Sequence, residues 1–151
     1  MSSKETNSPM NPYHYVRKCI GGKWKMTILH EINTFGKIHF NQTLKVLPVS
    51  EKVLSQQLKE LISDGLVDRI VDHKTLPPTV SYVLTDVGKE LMPALDIFYI
   101  WSIRQMDARQ IPIDIDSFVV HKSDKYVDEL KDIMAANDFW PDTEHRRSNT
   151  R

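Results

Sequence analysis

The sequence predicts a mainly α (α+β) domain: a winged helix-turn-helix followed by a long helix, with an extra helix towards the C-terminus. Three observations carry this expectation. A short helix, a turn and a well-capped amphipathic helix follow one another between Gln42 and Asp64. Two runs rich in Val, Ile and Tyr, Leu66–Val71 and Val80–Leu84, come straight after, joined by the polar, proline-bearing DHKTLPPT. A long stretch with helical period then runs from Asp86 to about Gln105.

Taken in order, residues 1–11 read as a disordered arm, and the polar MSSKETNSPMN lacks the apolar middle of a signal peptide. Pro12 suits the first position of a helix to Ile20, with Tyr13, Val16, Cys19 and Ile20 at helical spacing. Gly21-Gly22 breaks it. Trp24, Ile28, Leu29 and Ile32 form the core stripe of a second helix, Trp24–Ile32, and Gly36 stops it. Ile38-His39-Phe40 reads as a small strand. Asn41 is the expected N-cap of a short helix, Gln42–Leu47, ended by Pro48. Ser50 caps the next helix, Glu51–Asp64, which buries Leu54, Leu58 and Leu61 and ends at Gly65.

Thr85-Asp86 caps the long helix, whose main apolar stripe is Val87, Leu91, Leu95 and Phe98. Ile97, Ile100, Trp101 and Ile103 put apolar surface on a second face, which predicts a partner chain there. Pro93 should kink or split the helix. The main domain thus spans 12–106. Residues 107–137 form an extension: a connector to 122, then an amphipathic helix from Ser123 to about Asn137. Residues 138–151 are a charged tail.

Composition narrows the function. The 151 residues have the size of one ordinary domain, and no apolar run approaches the ~18 residues of a membrane span. One cysteine permits no internal disulfide, so a cytoplasmic setting is expected. The zero net charge hides an asymmetry: residues 1–75 hold 11 Lys/Arg against 7 Asp/Glu, and residues 76–151 hold 9 against 13. A basic front half suits a protein that offers one face to a polyanion. Enzyme signatures are missing: no G-x-S-x-G, no phosphate-binding glycine loop, and no H-x-x-x-H among His14, His30, His39, His73, His121 and His145. Asp114 and Asp116 lack a second acid-base group nearby in sequence, and read as a solvated acidic loop. No catalysis, metal or cofactor is expected.

The function-bearing face lies on the helix after Ser50. Lys52, Gln56, Lys59 and Ser63 fall opposite the leucines, on a face that reads as cationic and free of carboxylates, with Glu51 and Glu60 elsewhere. The second helix of a helix-turn-helix fits the major groove of B-DNA, with residues near its N-terminus reaching base edges. Ser50, Lys52, Ser55, Gln56 and Lys59 are the candidates. Gln can read adenine, and Lys can read guanine or a phosphate. Lys37, Arg69, His73 and Lys74 extend the candidate set, the last two at the hairpin tip with Thr75, while Lys23 and Lys25 are further candidate phosphate contacts. The same fold also serves as a protein-docking module, and that reading stays open on the fold alone.

Longer motifs then add a resemblance. GGKW at 21–24, F-N-x-x-L-K at 40–45, S-x-x-x-L-x-x-x-L-x-x-L-x-x-D-G-L-V at 50–67, and P-P-x-V-x-Y-x-L-T-x-x-G at 77–88 resemble the HxlR-type transcriptional regulators, bacterial and archaeal winged-helix proteins allied to the MarR group. The resemblance covers roughly residues 11–103. It implies a homodimer on pseudo-palindromic operators in double-stranded DNA, with a recognition helix at 51–64 and a wing at 72–79. It further implies dimerisation through the first helix, with Tyr13 and Val16, and through the long helix near Leu91–Ile103. A small-molecule effector of unknown identity is compatible with it. Several members carry a redox-sensing Cys just before a Pro ahead of GGKW. Here Asn11-Pro12 stands in that place, so thiol sensing by that route is not expected. Cys19 occupies an apolar position instead, as a small buried hydrophobe. The extension past 107 exceeds the usual family length.

Overall fold

The structure, a computed structural model, describes residues 8–112. The elements are α1 (Pro12–Ile20), α2 (Lys25–Phe35), α3 (Phe40–Val46), α4 (Glu51–Ser63), β1 (Val67–Asp72), β2 (Thr79–Leu84) and α5 (Asp86–Ala108). The chain divides into two compact units between Lys89 and Glu90, inside α5. The expected helix after Ser123, the acidic pair Asp114 and Asp116, and the histidines at 121 and 145 lie outside the described residues.

α1 starts where a cap and a proline coincide. The Asn11 Oδ1 accepts the Tyr13 N–H at 2.9 Å, satisfying one of the donors that a helix start leaves open. Pro12 fills a position where no N–H is required. At the other end the Gly21 N–H donates to the Arg17 carbonyl at 2.7 Å. Any Cβ on Gly21 would collide with that carbonyl oxygen, and Gly22 turns the chain at φ 99°. Only Cys19 and Ile20 of α1 are buried; Tyr13, expected on the same apolar stripe, is 82% exposed.

α2 begins one residue after Trp24 and continues past Ile32 to Phe35, where Gly36 ends it at φ 79°. Ile28, Leu29 and Ile32 are fully buried. The expected small strand at 38–40 shrinks to one bridge. Ile38 and Tyr82 exchange backbone hydrogen bonds at 3.0 and 2.9 Å. The expectation for α3 is corrected with it. The cap position is His39, not Asn41, and the helix starts at Phe40. Ile38 must pair with the hairpin, so His39 stays extended and the helix starts immediately after it. The His39 Nδ1 donates to the Val80 carbonyl at 2.9 Å, fastening the start of α3 to β2.

α4 is the hub of its unit, touching α1, α2, α3 and β1. Ser50 caps it, its Oγ accepting from the Val53 N–H at 3.2 Å. Leu54, Leu58 and Leu61 are at most 2% exposed. Burial of such a side chain contributes about 1.5–3 kcal/mol each. Gly65 at φ 76° takes the left-handed conformation that follows the helix. β1 and β2 then pair antiparallel, from Val67 opposite Leu84 to Asp72 opposite Thr79.

α5 is anchored at the base of this hairpin. The Thr85 hydroxyl donates to the Gly65 carbonyl at 2.6 Å and accepts the Gly88 N–H at 3.0 Å. A Cβ at Gly88 would collide with the Leu66 carbonyl oxygen. Two expectations for α5 are corrected. The helix is not split at Pro93, and it reaches Ala108, past the expected end at about Gln105 and into the expected connector. The buried residues after the first turn are Met92 and Leu95, whereas Val87 is 57% and Phe98 50% exposed.

Candidate nucleic-acid interface

The interface rests on the contrast between the two faces of α4. The leucine face is locked into the core, which fixes the azimuth of the helix. Lys52, Gln56 and Lys59, at i, i+4 and i+7, are therefore held on the exposed face. Ser55 is half-buried on the flank. Ser50 is exposed, and its hydroxyl oxygen is already accepting the Val53 N–H, so it serves the helix start first. The N-terminus of α4 adds a partial positive charge on the same side as Lys52.

The face is less purely cationic than the sequence suggests. Gln56 Nε2 donates to Glu60 Oε1 at 3.0 Å, so a carboxylate adjoins the candidate reading face. Lys25 is corrected more strongly. It is buried, with its Nζ 2.7 Å from Glu60 Oε2 and 3.3 Å from the Lys18 carbonyl oxygen, and it is not a phosphate contact. Lys18 in turn pairs with Asp64 at 3.1 Å. Its ammonium is held above the usual lysine value by the hydrogen bond and charge of Asp64. These pairs tie the end of α1 and the start of α2 to α4. The i, i+4 spacing of Gln56 and Glu60 is the sequence signal for the first of these contacts. Nothing in sequence spacing pairs Lys25 with Glu60, because the fold brings them together.

The hairpin supplies the second part. Asp72 Oδ1 accepts the Lys74 N–H at 2.9 Å, and the Thr75 and Thr79 hydroxyls bond each other across the base of the tip. His73, Lys74 and Leu76 are exposed, Leu76 by 95%. Arg69, opposite Tyr82 in the ladder, is exposed on β1. Lys37 is exposed beside an open groove of about 660 Å³ between the end of α2 and α3, which Phe35, His39 and Lys45 also line. Lys23 is exposed, its Nζ lying 5.4 Å from the centroid of the Trp24 ring.

Of the residues assigned to self-association, Tyr13 and Trp101 are exposed by 82% and 62%, and Val16, Ile97, Ile100 and Ile103 are half-buried. Tyr15, not singled out from the sequence, and Phe98, expected on the main apolar stripe, are 55% and 50% exposed. Among the described residues no helix is long and apolar enough to cross a membrane.

Known proteins share this arrangement. The family model described as HxlR-like helix-turn-helix matches residues 19–110. The HTH-type transcriptional regulator YdzF of Bacillus subtilis strain 168 is 38% identical over 99 residues, 65% of this chain and 90% of that protein. A regulator of the same type from Methanothermobacter thermautotrophicus is 39% identical over 83 residues, 54% of this chain and 62% of that protein. Among solved structures, the HTH-type transcriptional regulator YtcD matches with a TM-score of 0.59 and 35% identity, over 65% of this chain and 99% of that one. The reduced form of the redox regulator HypR matches with a TM-score of 0.61 and 34% identity, over 66% and 98%. With its winged helix-turn-helix and these relatives, the chain belongs to the HxlR-like helix-turn-helix family, whose members are DNA-binding transcriptional regulators and not enzymes.

Proposed function

We propose that the protein is a homodimer that binds pseudo-palindromic operators in double-stranded DNA with sequence specificity. α4 enters the major groove, and Lys52, Gln56 and Lys59 meet base edges and phosphates. The hairpin tip, with His73 and Lys74, follows the backbone or the minor groove, and Lys23, Lys37 and Arg69 add phosphate contacts. The exposed apolar residues of α1 and α5 are covered by the second subunit, so two recognition helices address two half-sites. Such a regulator works in the cytoplasm, where a bacterial or archaeal chromosome lies.

The observation that carries this reading is the split of α4: three leucines fully buried, and a polar, lysine-bearing face left exposed on the second helix of a helix-turn-helix. The test is a salt titration. If three cations per subunit each neutralise one phosphate, a dimer engages about six, and log K should fall against log salt with a slope near −5. Affinity for the DNA upstream of the protein's own and neighbouring genes should exceed that for random duplex between 50 and 200 mM salt. Lys52→Ala and Lys59→Ala should each remove two contacts from the dimer, one per subunit, and make the slope shallower by about two units while the fold and dimer survive. Equal affinity for both DNAs at every salt concentration would favour a protein-docking module instead.

A further inference from the structure

Gln56 has more ordered surroundings than an exposed position requires. Its Nε2 donates to Glu60 Oε1 at 3.0 Å. The other carboxylate oxygen, Oε2, receives the Lys25 ammonium at 2.7 Å. Gln57 Nε2 lies 3.5 Å from that same Oε2. The Lys25 side chain is only 7% exposed, against 39% for Glu60, so the carboxylate is held from the interior side. The hydrogen bond from Gln56, and then the bond from Lys25, hold the Glu60 carboxyl below its ordinary value.

The chemistry of this chain of contacts is directional. A primary amide has a donor end and an acceptor end, and in a glutamine they interchange on a half-turn about the last torsion. An ionised carboxylate only accepts. Glu60 therefore selects the orientation in which Nε2 faces it. The Gln56 Oε1 and the second Nε2 proton remain for an outside partner. An acceptor beside a donor complements the N6 amino group and N7 of adenine in the major groove. Lys25 makes the selection firm, because its buried ammonium keeps the carboxylate charged and fixed in place.

We propose that Glu60, clamped by the buried Lys25, is a positioning residue that sets the amide orientation of Gln56 and thereby the base that α4 prefers at one operator position. The proposal rests on the reading of α4 as the helix that enters the major groove. It separates two roles along one helix: Lys52 and Lys59 supply affinity, whereas the Lys25–Glu60–Gln56 relay supplies discrimination.

The test is selection of bound sequences from a pool of random duplex DNA, followed by sequencing, for the full-length wild type and four variants. The wild type should enrich a motif with adenine at one position of each half-site, and Gln56→Ala should lose that preference. Glu60→Gln, of equal shape, offers Gln56 either a donor or an acceptor. It should reduce discrimination at that position about tenfold and leave the other positions as they are. Lys25→Met should do the same, and Lys25→Arg, which keeps the cation, should retain the preference. A merely structural role would weaken all positions together. Wild-type preference at the Gln56 position in both E60Q and K25M would overturn the proposal. So would a motif untouched by Gln56→Ala. A wild type that enriches no sequence would instead remove the operator reading itself, and the proposal with it. Proton NMR of the free wild type needs no variant: the Gln56 side-chain amide should show slowed exchange and a displaced Nε2 proton, and the averaged shifts of a free glutamine would overturn the assignment.

Discussion

α4 and α5 are both amphipathic helices, yet the chain treats their apolar sides differently. In α4 the apolar stripe is finished: Leu54, Leu58 and Leu61 are 0–2% exposed. In α5 it is not. Met92 and Leu95 are buried, but Val87, Phe98 and Trp101 remain 50–62% exposed. α4 is stabilised by its own unit and turns its polar side outward, whereas α5 keeps apolar surface exposed, the surface assigned to the second subunit in the proposed dimer. An exposed aromatic such as Trp101 is ordinary singly and informative in a row.

The comparison breaks first at α5. A two-fold interface counts each residue twice, so Trp101→Glu or Ile100→Glu should convert the dimer to monomer at micromolar concentration. Sedimentation velocity reads this directly, and a wild type that sediments as a monomer would refute the dimer. Next comes α4, where Leu58→Ala should lower unfolding stability by about 2–5 kcal/mol in a urea titration, the range for emptying a buried leucine site. Phe98→Ala in the monomeric Trp101→Glu background should cost about 1 kcal/mol or less, because an exposed side chain leaves no cavity. Similar losses at both sites would erase the contrast between the two helices.

A smaller effect concerns the polar side of α4. The Glu60 carboxyl is held below the ordinary carboxylate value in the folded chain by the hydrogen bond from Gln56 and then by Lys25. A lowered carboxyl value means that the unfolded chain takes up the proton first. The contribution is therefore present above the ordinary carboxylate range and is lost as pH falls through the folded value. Stability measured from pH 6 to pH 3 should fall less steeply in Glu60→Gln than in wild type. The smallest effect is at Cys19, 4% exposed on α1. Diamide or peroxide should leave DNA binding unchanged, and operator release in wild type but not in Cys19→Ser would make this thiol a sensor.

The fold was legible where local chemistry acts alone. Pro12, Ser50 and Gly65 mark helix ends through effects within a few residues, and each stands at the helix end where it is expected, whereas Asn11, expected in the arm, caps α1. The misreadings fall where distant segments decide. Asn41 is a good cap by type, but the bridge from Ile38 to Tyr82 puts the cap at His39 and the helix start at Phe40. Val87 and Phe98 have helical spacing, but period alone does not say which apolar face the chain covers. The polar face of α4 was legible from the leucine register. The clamp behind it was not, because Lys25 and Glu60 are brought together by the turn at Gly21-Gly22 and by α2 lying against α4.

Position 11 shows a division of labour at a single residue. The Asn11 side chain is committed to the first turn of α1, where it holds the Tyr13 N–H. A thiol is a poor acceptor, so a cysteine in its place would give up about 0.5–2 kcal/mol of capping. A side chain at this site can brace the helix or report on oxidants, but it does not do both well. This chain has taken the brace. Its α1 is anchored at this end by a bond that neither oxidant nor reductant alters, so position 11 itself is no entry point for a redox signal.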